Sequence, residues 1–364
     1  MSAKTCYDSC MKKVLWIVGV SLLLVTGGVA EENGEISGNL DENGSWVDDY
    51  HKSISEEVVE WAESIDRTLY GWLGGEEENA TARHAVTDLE RERENNDAFF
   101  QTRKYLNETS RAYIRLRLDT SVRSLESDDT SFHVRVHLPL SRTRKRLKFF
   151  IEDLNEENAE NLVKRSDETT ESDSPKFGIN YFAPEAYGIH SKYSLGLSGL
   201  HPYVRGRYNM VFEPGVWVIE PVQTFQYSER SDFSEWTNLY FDTEPWKETL
   251  FRIRLSRGTQ AHEKGMPYGI ALSFSREMAG HSGVRLVQSF AGHTRYEYTP
   301  DGSDETKRYS GIYNYTTAVG YRRSIWKKWL YLEAIPSVNF HKEHDYRPNY
   351  SFFLLFDLFF GNYR

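Results

Sequence analysis

Cysteine is nearly missing from this 364-residue chain: Cys6 and Cys10 are its only two, and both precede the first long apolar run. Beyond residue 30, therefore, neither a disulfide framework nor a thiolate metal site is available. Basic residues are in the minority, 44 Lys and Arg against 54 Asp and Glu, and the net charge of -10 speaks against general nucleic-acid binding. Apolar runs long enough to cross a bilayer as a helix are absent after "VLWIVGVSLLLVTGGVA" (14–30). Gly-x-Ser-x-Gly, His-Glu-x-x-His, P-loop and dinucleotide signatures do not occur either. No catalytic residue, metal or cofactor is expected.

What the chain has in quantity is aromatic side chains, 14% of residues, with 23 Tyr, 20 Phe and 9 Trp. Soluble cores seldom need so many, whereas the interfacial girdles of membrane barrels do. The N-terminus reads as an export signal. Met11-Lys12-Lys13 supplies a basic start, the 14–30 run an apolar centre, and Gly28-Val29-Ala30 a small-residue cleavage site. Residues 1–30 are thus expected to be a signal peptide, with Met11 an alternative start. A signal anchor is the other reading of the same run.

Residues 31–100 carry 20 acidic against 5 basic residues. Within them Ile54, Val58, Trp61, Ile65, Leu69 and Trp72 recur at steps of three and four, one face of an amphipathic helix placed over 46–73. Ser53 with Glu56 fits a capping box, and Gly74-Gly75 fits a stop. "EEENATAR" (76–83) reads as a polar hinge and 84–105 as a weaker helix or coil. The whole of 31–109 is expected to be an acidic periplasmic segment. Its helix either packs on its own segment or docks elsewhere, on something else in the periplasm or on the mouth of the barrel that follows.

From about residue 110 the period changes from 3.6 to 2. "RAYIRLRLD" (111–119) sets Ile114, Leu116 and Leu118 against Arg115, Arg117 and Asp119. "SFHVRVHLPL" (131–140) sets Phe132, Val134, Val136 and Leu138 against His133, Arg135 and His137. Such alternation marks strands with one apolar and one polar side. It continues to "NYSFFLLFDLFFGNYR" (349–364), whose Tyr350, Phe352, Leu354, Phe356, Leu358 and Phe360 are assigned to lipid, with Asp357 and Ser351 turned inward. About fourteen strands result, or twelve if 176–200 is not strand. Short turns such as "EPG" (213–215) and "AGHSG" (279–283) alternate with longer polar loops such as 154–175 and "TPDGSDETKR" (299–308). The tyrosines of "GIYNYTTAVGY" (311–321) are read as lipid-facing. The expected fold is all-β, a transmembrane antiparallel up-and-down β-barrel over 110–361, preceded by the short helical segment.

The stretch "GYRRSIWKKWLYLEAIPSVNFHKEHDYRPNYSFFLLFDLFFG" (320–361) resembles the C-terminal hairpins of a group of uncharacterised proteobacterial outer-membrane proteins, and a looser likeness reaches back to about residue 110. The group has no established activity, so the resemblance implies fold and place only. One departure is that Gly361-Asn362-Tyr363-Arg364 follow the last aromatic of the strand.

Alternation gives the lumen Arg115, Arg117, Arg135, Lys148, Lys192, Arg205, Arg207, Arg252, Arg254, Arg285 and Arg322, with His133 and His137. The inward acids are Asp119, Glu152, Glu220, Asp242, Glu333 and Asp357. An excess of positive lining raises the local concentration of anions. The expected function is a porin-like outer-membrane channel for small solutes, anions favoured. A filled, structural or assembly barrel is the rival. An outer-membrane hydrolase, resting on His133, His137 and Asp119, is a weaker third. The expected partners are outer-membrane lipid and the barrel-assembly machinery, with the acidic segment docking on the barrel as plug or gate, and no nucleic acid.

Overall fold

The computed structural model describes residues 46–73, 88–102, 112–140, 147–152, 176–230, 232–299 and 304–361. The signal-peptide, hinge and Gly74-Gly75 readings, and the 154–175 loop, lie outside the described residues.

Fourteen antiparallel strands close into one barrel, each bonded to its neighbours in sequence and β1 to β14. They are β1 (Tyr113–Arg123), β2 (Asp129–Leu140), β3 (Leu147–Glu152), β4 (Lys176–Phe182), β5 (Ile189–Ser198), β6 (His201–Met210) and β7 (Val218–Ser228) on one half of the circuit. On the other are β8 (Asp232–Trp246), β9 (Thr249–Gln260), β10 (Pro267–Met278), β11 (Ser282–Tyr298), β12 (Lys307–Ser324), β13 (Leu330–His341) and β14 (Pro348–Gly361). The 176–200 stretch is strand, so the count is fourteen.

Two-residue periodicity places the charges. On β1 and β2 the buried Arg115, Arg117, His133 and Arg135 alternate with Leu118, Phe132 and Val134, which are exposed. The same holds at β5, where Leu195 is 68% exposed beside buried Ser194. A soluble sheet has the opposite arrangement, polar out and apolar in. Here the outer surface is the greasy one, and strands of about ten residues suit a hydrocarbon layer crossed at a tilt. This is an outer-membrane-type barrel. A one-residue slip in β1 would turn Arg115 and Arg117 outward, at about 2–4 kcal/mol each at the bilayer midplane.

Both barrel termini lie at one end, called here the terminal end. The turns 211–217, 247–248, 279–281 and 325–329 are on it, and with them Trp217, Trp246, Trp326 and Trp329. The opposite end, the far end, carries the hairpin 124–128 and the 342–347 connection. Its wall is uneven: β11 and β12 run 17 and 18 residues, β3 only 6.

The last strand is greasy on both sides, and for two reasons. Outward, Tyr350 and Phe356 are exposed. Inward, Phe353 and Leu355 join Ala271, Val287, Ala318 and Ile335 in an apolar cluster inside the barrel, while Phe359 packs with Tyr113 and Tyr331.

Two helices precede the barrel: α1 (Trp46–Leu73) and α2 (Asp88–Phe99). Ser53 lies inside α1 rather than at its start, a correction to the capping-box reading. Asp48 and Asp49 occupy the first turn, where the helix dipole favours acids. The side chains of Trp61, Ile65, Leu69 and Trp72 are outside those described. Ile54 and Val58 pack on Ala112, Ile114, Val136, Leu138 and Phe360 at the terminal end of the β1–β14 seam. Above them His51 stacks on Trp329, centroids 4.3 Å apart, and its Nε2 lies 2.6 Å from the Phe359 carbonyl oxygen.

Candidate functional site

The terminal half of the lumen is organised by α2. Arg93 donates to Asp242 (2.8 Å) and to Glu220 (2.7 Å). Arg252 grips Asp97 with both terminal nitrogens (2.8 and 2.9 Å) and Asp242 through Nε and Nη2 (2.7 and 2.9 Å). Ser275 donates to Asn96 Oδ1 at 2.7 Å. Every member is buried, and bidentate guanidinium–carboxylate pairing fixes geometry as well as charge. The charge pattern is reciprocal rather than acid-on-base: the helix offers one cation and one anion, and the wall answers with both signs.

Beyond the network the chain leaves α2 through Phe99 and Phe100. Phe99 meets Phe100 and Tyr331 edge-on, and Arg285 lies over the Phe100 ring at 4.3 Å. Gly283 makes room for them. A Cβ there would stand 2.6 Å from Phe99 and 2.9 Å from Phe100.

A second network ties the barrel closed. Asp357 takes two bonds from Arg117 (2.5 and 2.8 Å) and one from Arg322 (2.5 Å), which also reaches Glu333 at 3.0 Å. These join β1, β12, β13 and β14 across the seam. Asp119 lies 3.9 Å from Arg117 and 3.3 Å from His133. His137 instead stacks on Tyr113, centroids 5.3 Å apart. The two histidines thus take different partners, and among the described residues no group of three His, Cys, Asp or Glu could hold a metal ion.

From β1 to β6 the inner wall is a basic crescent. Arg115 stands directly across from Arg135, and Lys192 from Arg207. Lys148 and Lys192 both lie over the Phe182 ring, at 4.0 and 5.9 Å. Arg205 is half-buried and donates to Gln226 at 2.8 Å. Arg254 is buried on the opposite wall. The Glu152 side chain lies outside those described. Like charges directly opposed across a strand pair are destabilising, and this crescent holds two such pairs.

The far half is different in kind. A cavity of about 340 Å³ opens there between β1, β11, β12, β13 and β14. A bulge makes it. Ala291 pairs with Asn314 and Gly292 with Ile312, leaving Tyr313 as the extra residue. A bulge puts neighbouring side chains on one side of the sheet. Tyr313 and Asn314 are accordingly both buried, which overturns the lipid-facing reading of Tyr313, while Tyr315 stays exposed. Tyr296, past a second register shift, stacks on Tyr313 at 4.2 Å and donates to Glu343 at 2.5 Å.

Alternation brought the charged lining to view; it missed Arg93, Asn96, Asp97 and Phe99 on α2, Phe100 just after it, and the uncharged groups of the far cavity. The α2 charges had a compositional signal, mixed signs in "DLERERENNDAF". Thr316 and Asn339 had none.

No family model matches this chain, and no curated protein matches it. Among solved structures it is similar to an anion-selective porin from Comamonas acidovorans, at 8% identity, covering 68% of this chain and 98% of that one with a TM-score of 0.41. It is also similar to outer-membrane expressed OmpT of Vibrio cholerae, at 9% identity over 68% and 96% with a TM-score of 0.41. A third is the KdgM porin in complex with disordered oligogalacturonate, at 9% over 68% and 98% with a TM-score of 0.33. The strand pairing of this chain, rather than these distant likenesses, defines its fold.

Proposed function

We propose that the protein is an outer-membrane channel for small solutes, gated by α2. The terminal end, with its tryptophans, faces the periplasm, and the exposed apolar band meets lipid. The observation that carries the reading is the ion network of Arg93 and Asp97 with Glu220, Asp242 and Arg252 inside the lumen. It holds a short polar helix where a passage would run, by bonds that break without unfolding a strand. The basic crescent of Arg115, Arg135, Lys192 and Arg207 then favours anions once the helix moves.

A specific observation favours a second reading, a permanently filled structural barrel. The apolar cluster around Ile335 and Leu355 lies inside the wall, and Arg117, Arg322 and Asp357 are at most 1% exposed. Planar-bilayer recording separates the two. The full chain carrying Arg93→Glu with Asp97→Lys places like charges against Asp242, Glu220 and Arg252. Larger single-channel steps than wild type, with anions more permeant than cations, are expected. A variant that inserts and stays silent would establish the filled barrel instead.

A further inference from the structure

The far cavity is lined by rows of hydrogen-bonding groups, mostly uncharged, set by strand register. Thr316, Asn339 and Asn349 stand side by side on β12, β13 and β14, and Ser337, Ser351 and Arg123 form the next row. Below them Phe353 closes the floor, continuous with the apolar cluster of Ile335 and Leu355, and Tyr296 forms one side.

The charges at this mouth are already committed to the protein. Arg123 donates to Glu126 at 2.9 Å, and Glu343 accepts from Tyr296. Asn349 is fixed at both ends. Its Oδ1 accepts from Ser124 Oγ and Leu125 N, and its Nδ2 donates to Glu126 at 3.0 Å. Asn339 Oδ1, by contrast, is buried without a hydrogen-bond partner. Such an acceptor forfeits its solvation unless something donates to it.

We propose that this cavity is a binding site for a neutral polyhydroxylated solute, a small saccharide. Amide and hydroxyl rows offer paired donors and acceptors to vicinal hydroxyls. Tyr296 is held by stacking on Tyr313 and Tyr298, and the cavity floor at Phe353 gives an apolar base below the polar rows. A free anion finds one arginine and two histidines, His341 and His344, here beside two glutamates, and the arginine is already paired with Glu126. The volume falls at the lower end of the about 300–1,000 Å³ of small-molecule sites, enough for one or two sugar rings but not for a chain. The assignment does not depend on gating or conduction. A silent barrel that binds sugar would end the channel reading and leave this one intact.

Calorimetric titration of the detergent-solubilised full chain tests it, with maltose, sucrose and raffinose as neutral probes and glucuronate and sulfate as anionic ones. At least one neutral sugar should bind saturably and more tightly than either anion. Thr316→Val, which keeps the side-chain shape, and Asn339→Leu should each weaken that binding by about tenfold. Glu185→Gln, exposed at the terminal end, should leave it unchanged. Thr316→Val alone decides the matter if Asn339→Leu fails to fold. No saturable heat from any of the three sugars, tighter binding of glucuronate or sulfate, or full affinity in Thr316→Val would overturn the proposal.

Discussion

The two ends of this lumen are built from the same fourteen strands and solve opposite problems. At the terminal end full charges are buried in mutual contact and hold a helix across the bore. At the far cavity Arg123 is paired with Glu126 and Glu343 accepts from Tyr296, and the buried polar lining is mostly amide and hydroxyl, with His341 among it. A buried charge commits its neighbours, because removing one partner of an ion pair costs about 3–5 kcal/mol. A neutral amide leaves its neighbours free to accept something else. On the proposed reading, the difference separates a part of the wall that holds the lumen closed from a part that exchanges ligands.

The largest expected effect tests that contrast on the strand the two ends share. Asp357→Leu removes the common partner of Arg117 and Arg322 and should cost about 3–5 kcal/mol, measured from denaturant midpoints of the refolded barrel. Ser351→Ala, six residues away on the same side of β14 and within the far cavity, should cost about 0.5–1.5 kcal/mol or less. Equal costs at the two positions would dissolve the distinction between the ends.

A smaller effect sharpens it. Gly283→Val drives a side chain into Phe99 and Phe100, and overpacking of this kind costs about 1–3 kcal/mol. Gly258→Ala is the far-end counterpart, because a Cβ there would stand 2.4 Å from the Trp236 ring. Both should lower stability. Only the first touches α2 and the residue that follows it, so on the proposed reading only Gly283→Val should raise the frequency of conducting events in bilayers. A matching rise in Gly258→Ala would mean that α2 is not the closing element.

Much of the barrel could be read from residue order because lipid makes so rigid a demand. Arg115 and Arg117 must face away from hydrocarbon, so Leu116 and Leu118 must face it, and the register of β1 follows; Ile114, on the same side, is covered by Ile54 and Val58 of α1. Asp357 was legible for the same reason, as a carboxylate in a greasy strand. The partners of α2 were not legible. Arg93 and Asp97 are ordinary helix-surface charges until β7, β8 and β9 are placed beside them, and the mixed signs of the contact concealed it from a count of net charge. The far cavity was hidden more deeply. One extra residue at Tyr313 turns an apparent lipid-facing tyrosine inward, and the Thr316–Asn339–Asn349 row exists only through the pairing of three strands. Alternation predicts sides, and a bulge is the point at which alternation stops applying.

The smallest expected effect lies where α1 meets the rim, and it separates two ways of holding a helix on a barrel. Asp48 bonds Lys327 at 2.5 Å, but both side chains keep a quarter to a third of their exposure. Pairs of this kind contribute about 0–1 kcal/mol and are screened by salt. Ile54 and Val58 rest on apolar wall at Leu138 and Phe360, a contact to which salt is indifferent. Asp48→Ala should therefore lower stability by no more than about 1 kcal/mol at low salt, and the difference from wild type should fade as sodium chloride is raised. Proteolysis of α1 in the intact barrel reports the same equilibrium locally. Cleavage slowed by salt-insensitive packing should persist in Asp48→Ala and be lost in Val58→Asp. If Asp48→Ala alone frees the helix at every salt concentration, the rim resembles the plug, and charge rather than apolar contact governs both helices.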